Sequence, residues 1–392
     1  VKDVEPDVRF MKQALALGAR GRGTTSPNPM VGAVVVAGGN VVGSGYHAQA
    51  GGPHAEIVAL QRARTRARRA TLYITLEPCC HTEKRTPPCV PAIIDAGVQR
   101  VVVAMRDPNP LVSGRGIRQL RRAGIVVDVG CLKQDAAKLN EVYCHWVQTG
   151  RPFVILKAGM TLDGKIATAA GVSQWITGAV ARAHVHQLRG RVDAIAVGVN
   201  TVLHDDPRLT VRIPGSKRRA YSARPPVRVV FDSRLRIPST ARVLRDAPHV
   251  PTVVATTKLA LHRNIERLRT MGVDVLTLAQ RGGRVSIHRC LRALGKRGVT
   301  SLLVEGGGEL NASFLREGLV NQVYLYVAPI LLGGHNATGL LGGLSPGSLA
   351  DAVAVSDMRL RFLGEDVLVT GSLPARAVKR SRLSRVDTTA CP

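Results

Sequence analysis

Along the chain, apolar residues recur at helical spacing in some stretches and cluster in short β-branched runs in others. Residues 8–21 (VRFMKQALALGARG) read as an amphipathic helix that runs into glycines. TTSPNPMVG follows as a turn-rich loop, and AVVVAGGNVVGSGYH is two β-rich runs joined by AGGN, a hairpin signal. Residues 54–68 (HAEIVALQRARTRAR) predict a helix with Ile57, Leu60 and Ala67 inward, and ATLYITLEP a strand that stops at a proline. A short helix over 89–96, a strand in VQRVVVAM, a helix in GIRQLRRAG and a strand in IVVDVGCL complete the first series. Helices alternating with β-branched strands make this half an α/β layered domain.

The stretch from Asp135 to Trp146 is helical in pattern and leads to TGRP at 149–152, where the domain boundary is placed. The expected units are 1–147 and 151–375, both α/β, followed by a basic tail over 376–392 that is expected to be disordered. The second series opens with PFVILKAGM as a strand, ARAHVHQLRGR as a helix and DAIAVGVNTV as a strand. After a proline-bounded polar loop at 213–226 come the strand-like runs VRVVFD, TVVATT, VDVLTL, SLLVEG and VNQVYLYVAPIL. Helices at 259–271, 286–297 and 309–318 separate several of them.

Composition narrows the class. With 45% hydrophobic residues in 392, packed cores are affordable and general disorder is excluded. No apolar run reaches the ~18 residues of a membrane span. The first residues, VKDVEPDVRF, lack an apolar signal segment. Seven cysteines in a chain of this length are no disulfide scaffold, so a reduced, cytoplasmic protein is expected, with clustered cysteines holding metal. The net charge of +28 is spread, with 20 basic against 11 acidic residues in 1–150, 30 against 15 in 151–375 and five against one in the last 17. A positive field suits phosphorylated small molecules and equally nucleic acid. Because the excess is spread and arginine outnumbers lysine 44 to 11, a biased solvated surface is the plainer reading.

The sharpest chemical signal is His54-Ala55-Glu56 opening a helix, followed by Leu76-Glu77-Pro78-Cys79-Cys80 and Pro87-Pro88-Cys89. Zinc at a catalytic site takes three protein ligands and keeps one position open. His54, Cys79 and Cys89 supply an imidazole and two thiolates. Glu56, on the first helical turn, can reach the open side and shuttle a proton without binding the metal. This is the H-x-E…P-C pattern of zinc nucleobase deaminases, with the second cysteine further along than usual. Cys80 in place of Cys79, and His81 as a fourth ligand, are the competing assignments. In the second half, Lys157 lies inside the apolar strand LKAGM, where an inward ammonium is costly unless it meets an anion or acts chemically. SLLVEGGGELNASFL is a strand, three glycines and a helix, a turn that lets backbone N–H groups approach a phosphate, although it is not G-x-G-x-x-G.

TSPNPMVGAVVV, HAE, TLEPCCHTEKRTPPC and VAMRDPNPLVSGRGI together resemble the deaminase half of the bifunctional riboflavin-biosynthesis deaminase/reductase family. LKAGMTLDGKIAT, SQWIT, GVNTVLHDDPRLTVR, VFDS, VEGGGELNASF and APILLGG resemble its reductase half, in the family's order over about residues 8–372. Two departures stand out. The stretch between Cys79 and Cys89 is one residue longer than usual, near Lys84-Arg85, and Arg64 and Arg69 stand where the family often has glycine.

The resemblance implies a cytidine-deaminase-like zinc domain followed by a dihydrofolate-reductase-like domain. It implies hydrolysis of the 2-amino group of a diaminohydroxy-phosphoribosylaminopyrimidine, then NADPH-dependent reduction of the ribose to ribityl. Asn28, a good turn residue in any case, would hydrogen-bond the pyrimidine. Lys157 and Asp205 would act on the substrate of the second step. Ser173, Leu209, Arg212 and Glu305 match its other substrate positions, Arg212 being suited to a phosphate. Gly159, Trp175, Thr201, Asp205 and Ser233 match cofactor positions, and Gly307, Gly308, Glu309, Leu310, Asn311, Ala312 and Ser313 the cofactor-phosphate loop. The expected partner is a small phosphorylated pyrimidine, with no membrane contact and a homo-oligomer compatible. A nucleic-acid base deaminase with a fused accessory domain is the first alternative, but it gives LKAGMTLDGK and VEGGGEL no role. A degenerate, non-catalytic scaffold is the second, and the presence of the ligand set and Glu56 argues against it.

Overall fold

The computed structural model describes residues 4–81, 87–213 and 224–374. The long 213–226 loop, the Lys84-Arg85 insertion and the 376–392 tail therefore fall largely or wholly outside the described residues. The chain builds two main sheets. The first has the order β2-β1-β3-β4-β5 and comprises β1 (Gly32–Ala37), β2 (Asn40–Tyr46), β3 (Thr71–Ile74), β4 (Arg100–Val103) and β5 (Val126–Val129). β1 pairs antiparallel with β2 and β3, and β3, β4 and β5 run parallel. Helices α1 (Val4–Gly18), α2 (Ala55–Ala63), α3 (Cys89–Asp95), α4 (Arg115–Arg122), α5 (Lys133–Leu139) and α6 (Glu141–Thr149) accompany it. The alternation of helix and strand read from the pattern is the alternation found. The single helix expected over 135–146 is instead two, α5 and α6, broken at Asn140. There the Asn140 side chain is diverted to the Met30 backbone, accepting from its N–H at 2.8 Å and donating to its carbonyl at 3.0 Å.

The second sheet has nine strands in the order β11-β10-β9-β8-β14-β6-β15-β18-β17. They are β6 (Phe153–Thr161), β8 (Ala194–Gly198), β9 (Val227–Phe231), β10 (Thr252–Thr256), β11 (Asp274–Thr277), β14 (Ser301–Val304), β15 (Gln322–Ala328), β17 (Ser356–Leu363) and β18 (Asp366–Ser372). The strands from β11 to β15 are parallel, and β18 and β17 extend the sheet antiparallel. Two small pairs flank it, β12 (Gln280–Arg281) with β13 (Arg284–Val285) and β7 (Lys165–Ala167) with β16 (Thr338–Gly339). Its helices are α7 (Ala179–Arg189), α8 (Val199–Asp205), α9 (His262–Thr270), α10 (Ile287–Lys296) and α11 (Gly308–Arg316). A parallel sheet covered on both faces needs strands apolar on both sides, and separate buried clusters lie on its two faces. One boundary moved: the strand read through DAIAVGVNTV stops at Gly198, and 199–205 turns into α8. β17 was not legible, because Met358, Leu360 and Phe362 alternate with arginines on an exposed edge.

Backbone proximity fixes α2. A β-carbon at Gly45 would meet the Ala55 carbonyl at 2.7 Å, so only glycine lets α2 lie this close to the hairpin. Arg64 and Arg69 follow α2 with φ of 52° and 59°. That is the left-handed region glycine enters freely, which accounts for the family's preference at both places.

The two halves touch along a seam that is partly apolar, with Val142 packed against the second half's core and the His145 ring edge-on to Phe153 at 5.7 Å, and partly polar. Trp146 Nε1 donates to the Gly295 carbonyl at 3.1 Å and Gln322 Nε2 to Glu141 Oε1 at 2.8 Å. Thr300 donates its hydroxyl to Asp193 at 2.6 Å, so Ser26 is the donor in the 3.1 Å contact between the Ser26 and Thr300 hydroxyls. The sheets share no strand, and the first has its own buried cluster. A fragment of residues 1–149, which keeps α6 whole, is expected to unfold cooperatively by circular dichroism. A non-cooperative melt would mean that the seam with the second half is required for folding.

Candidate functional sites

The first site sits where α2 and α3 begin. His54 is the N-cap residue of α2, and Glu56 is buried in its first turn. Cys79 follows β3, and the backbone N–H groups of Cys89 and Val90 donate to its carbonyl at 3.0 and 3.3 Å, which brings the start of α3 against it. The ligand atoms of His54, Cys79 and Cys89 lie within 4.8 Å of one another. Cys79 Sγ and Cys89 Sγ are 3.4 and 3.2 Å from His54 Nδ1. A tetrahedral zinc with ordinary Zn–N and Zn–S bonds would have N···S edges of about 3.6 Å. The triangle therefore fits a metal ion with little adjustment. Among the described residues, Cys80 and His81 are outside it. Burial, and next the charge of Cys79, push the Glu56 carboxyl up to about 7, the range in which a carboxylate both takes and returns a proton.

Several residues around this triangle carried no readable signal. His47 is buried, with Nδ1 3.0 Å from the Pro53 carbonyl. Nδ1 therefore carries the proton and Nε2 accepts from Asn28 Nδ2 at 3.1 Å. The His47 ring meets the His54 ring edge-on at 5.3 Å. Burial holds the His47 imidazole below its usual range and so neutral. Asn28 is thus aimed by a buried histidine whose role no sequence spacing announced. Glu77, also buried, accepts from the backbone N–H groups of Gly114 at 2.8 Å, Ile117 at 3.2 Å and Asp107 at 3.3 Å. It ties the loop over 107–114 and the first turn of α4 to the strand end that carries Cys79. Burial raises Asp107 to about 6, against hydrogen bonds from the Asn109 N–H at 2.8 Å and the Tyr143 hydroxyl at 3.0 Å.

The second site is a cavity of about 2480 Å³ in the second half of the chain. Lys157 reaches it from β6, Glu305 from the end of β14 and Arg189 from α7. Arg189 donates through Nε and Nη2 to the two Glu305 oxygens, both at 2.7 Å, a bidentate fork. Lys157 Nζ is 3.8 Å from Glu305 Oε2 and 5.9 Å from the centre of the Tyr326 ring. Burial alone would raise Glu305, but Arg189 and Lys157 outweigh it and hold the carboxyl at about 2. Burial lowers Lys157, with Glu305 opposing. The inward lysine read from LKAGM has met its anion, and Arg189 is a member of the group that sequence reasoning missed.

Asp205 ends α8 and accepts from Ser173 Oγ at 2.9 Å. The strand read through DAIAVGVNTV stops at Gly198, so α8 lies between it and Asp205. Gly159, Ser173, Trp175, Thr201, Asp205, Leu209, Arg212 and Ser233 all line the cavity, as do Gly307, Gly308, Glu309, Leu310 and Ser313. Asn311 and Ala312 are buried in α11 and do not line it. The glycine turn is only Gly306–Gly308; helix geometry from Gly308 onward turns those two side chains away. Leu209 has φ 50° and a buried side chain packed into the core, so it is its backbone that the cavity can use. Trp175 is 66% exposed, with the Arg182 guanidinium stacked 4.7 Å from its ring centre. Ten arginines line the cavity, so part of the diffuse positive charge is gathered where anionic ligands would sit.

Two family models match the chain. The cytidine and deoxycytidylate deaminase zinc-binding region covers residues 4–105, and the RibD C-terminal domain covers 152–369. The riboflavin biosynthesis protein RibD of Actinobacillus pleuropneumoniae is 45% identical over 93% of this chain and 94% of its own. That of Escherichia coli is 42% identical over 92% and 98%. Among solved structures, Acinetobacter baumannii RibD superposes with a TM-score of 0.85 at 37% identity, covering 95% of this chain and all of its own (100%). A Thermotoga maritima diaminohydroxyphosphoribosylaminopyrimidine deaminase/5-amino-6-(5-phosphoribosylamino)uracil reductase superposes with 0.80 at 35% identity, covering 95% and 99%. No helix among the described residues is long and apolar enough to cross a membrane.

Two outcomes are expected. Cys79→Ser should lose most of the zinc found by elemental analysis, at about one ion per chain for the parent, and Cys131→Ser should keep it; equal metal in both would remove the ligand assignment. Glu305→Gln should destabilise the protein by about 3 kcal/mol, because it leaves buried cations unpaired. Glu305 is held below its ordinary carboxyl value, so its contribution is complete above about 4.5 and fades as pH falls toward about 2. Denaturant titrations across that range should show a flatter acid limb in the variant than in the parent.

Proposed function

Because the chain belongs to the RibD family of bifunctional riboflavin-biosynthesis deaminase/reductases, we propose that its two sites act in turn on one phosphoribosylated pyrimidine. The first would hydrolyse the 2-amino group of 2,5-diamino-6-(5-phosphoribosylamino)pyrimidin-4-one. The second would reduce the ribose of the deaminated product to ribityl with NADPH. The observation that carries this reading is the pairing, on one chain, of a His-Cys-Cys triangle backed by a buried carboxylate with a separate arginine-lined cavity.

In deamination, His54, Cys79 and Cys89 would hold zinc, which supplies Lewis acidity toward water. Glu56 takes a proton from the attacking water and delivers it to the ring nitrogen beside the carbon under attack. It then takes the second proton, from the hydroxyl now on that carbon, and gives it to the departing amine, so a C–O bond has formed and becomes the carbonyl as the C–N bond breaks and ammonia leaves. Burial disfavours its charged form, which suits a carboxyl that must hold a proton between the two transfers. Asn28, aimed by His47, orients the pyrimidine edge.

In reduction, NADPH would supply the hydride. Its fit is supported by the Gly306–Gly308 turn at the start of α11, where free N–H groups and the helix dipole suit a phosphate. The cavity of about 2480 Å³ exceeds the roughly 300–1,000 Å³ typical of a single small-ligand pocket, which leaves room for cofactor and substrate together. Thr201, Ser233, Gly159 and Trp175 would border the cofactor. Lys157 is placed to orient the sugar and give a proton to its oxygen, while Glu305, fixed as a carboxylate by Arg189, accepts from the substrate. Asp205, steadied by Ser173, holds the ribose against the cofactor.

Glu56→Gln keeps size and shape but carries no proton, so ammonia release should fall by ~10²–10⁴. NADPH oxidation with pre-deaminated substrate should persist in that variant. Asp205→Ala should do the reverse. Loss of both activities in each folded variant would replace two independent sites with a single shared one.

A further inference from the structure

The segment from Asp206 to Ile213 leaves α8 without helix or strand of its own, and no sheet ladder secures it. Its far end is instead attached to α7. Arg189 Nη1 donates to the Thr210 carbonyl at 3.2 Å, and the Arg212 N–H donates to His186 Nδ1 at 3.2 Å. His186 and Arg189, three residues apart, share one face of the helix. Arg189 Nε and Nη2 donate to Glu305. One helical turn therefore grips the segment at two points, with the Glu305 cluster behind it. Arg212 lines the cavity, and among the described residues no salt bridge holds its guanidinium.

We propose that His186 is a positioning residue for the anionic end of the reductase substrate, seating the Arg212 backbone so that its guanidinium meets the substrate phosphate. The inference rests on the reading of Arg212 as the phosphate contact. Nothing in the sequence motifs singled out His186, which sits inside the helical run ARAHVHQLRGR. Its chemistry suits the task. To accept from the Arg212 N–H, Nδ1 must be unprotonated, and an imidazolium would turn a donor against a donor. Burial first, then Arg189 and Arg212, with Glu305 and the Thr210 carbonyl opposing, bring His186 down to about 4, so the ring is the neutral acceptor at neutral pH. A lysine or arginine here could only donate, whereas a glutamine amide could accept the same N–H.

The test uses the full chain, NADPH, and two substrates for the second step: the deaminated phosphoribosylamino compound and its dephosphorylated counterpart. His186→Leu should raise KM for the phosphorylated substrate about tenfold, the worth of one well-placed hydrogen bond and the misdirected contact behind it. It should leave kcat within about twofold, because the reacting end is untouched. KM for the dephosphorylated compound should not move, and His186→Gln should restore most of the affinity. His186→Phe, which keeps a ring without an acceptor, serves in its place should the leucine variant melt early. An unchanged KM, an equal rise for both substrates, or no rescue by glutamine would overturn the proposal. Arg212→Ala separates this from the underlying reading. A rise confined to the phosphorylated substrate upholds the phosphate contact whatever His186 does, whereas no change would remove that contact and the proposal with it.

Discussion

Each half of the chain is organised around an ionised or titratable carboxyl taken out of water. Such a group is tolerated only where donors or cations surround it, and supplying them draws distant segments together. Glu305 is the clearest case. Its two oxygens collect the Arg189 fork and the Lys157 ammonium, and thereby fix α7, β6 and the end of β14 relative to one another. Through Arg189 the same cluster reaches the segment that carries Arg212. Glu77 plays the corresponding part in the first half, with backbone N–H groups in place of side-chain cations. Asp193 does so at the seam, gathering the N–H and hydroxyl groups of Thr300 and Ser301.

The two sites solve different electrostatic problems. The first brings two thiols, an imidazole and a carboxyl within a few ångströms, a concentration of potential negative charge that a bound cation relieves. The Glu56 carboxyl is raised there chiefly by its burial, and next by the charge of Cys79. The second collects arginines about a cavity, with Glu305 held among them by Arg189 and Lys157. This fits a chain whose substrate and cofactor would both bring phosphate. The positive charge that composition alone left between a nucleic-acid reading and a solvated surface is partly a property of this cavity.

Three non-glycine residues in the left-handed region show where sequence and backbone pull against each other. Arg64 and Arg69 close the turn after α2 where the family often has glycine, and Leu209 adopts φ 50° with its side chain in the core. Each has a cost of about 1 kcal/mol or more that surrounding contacts must offset. For Leu209 the compensation is visible as burial among the residues of one core cluster.

Local chemistry was legible in the residues themselves. The alternation of helical and β-branched periods gave two α/β layered halves, because burial of one face imposes that period on the sequence. His54, Glu56, Cys79 and Cys89 could be picked out because a metal's demand for particular donor types leaves a pattern in short stretches. Lys157 stood out because a charge in an apolar strand is costly. What tertiary structure alone decided is who meets whom across long separations. That Arg189 is the partner of Glu305, that His47 aims Asn28, that Glu77 holds the 107–114 loop and the first turn of α4, and that His186 accepts from Arg212 are all consequences of packing between elements. Arginines and histidines in amphipathic helices look alike in sequence whether they face water or a buried carboxylate. The break at Asn140, the helix at 199–205 and the exposed strand at 356–363 were hidden for the same reason: their side-chain pattern is ambiguous until a neighbouring element supplies the hydrogen bonds that choose between conformations.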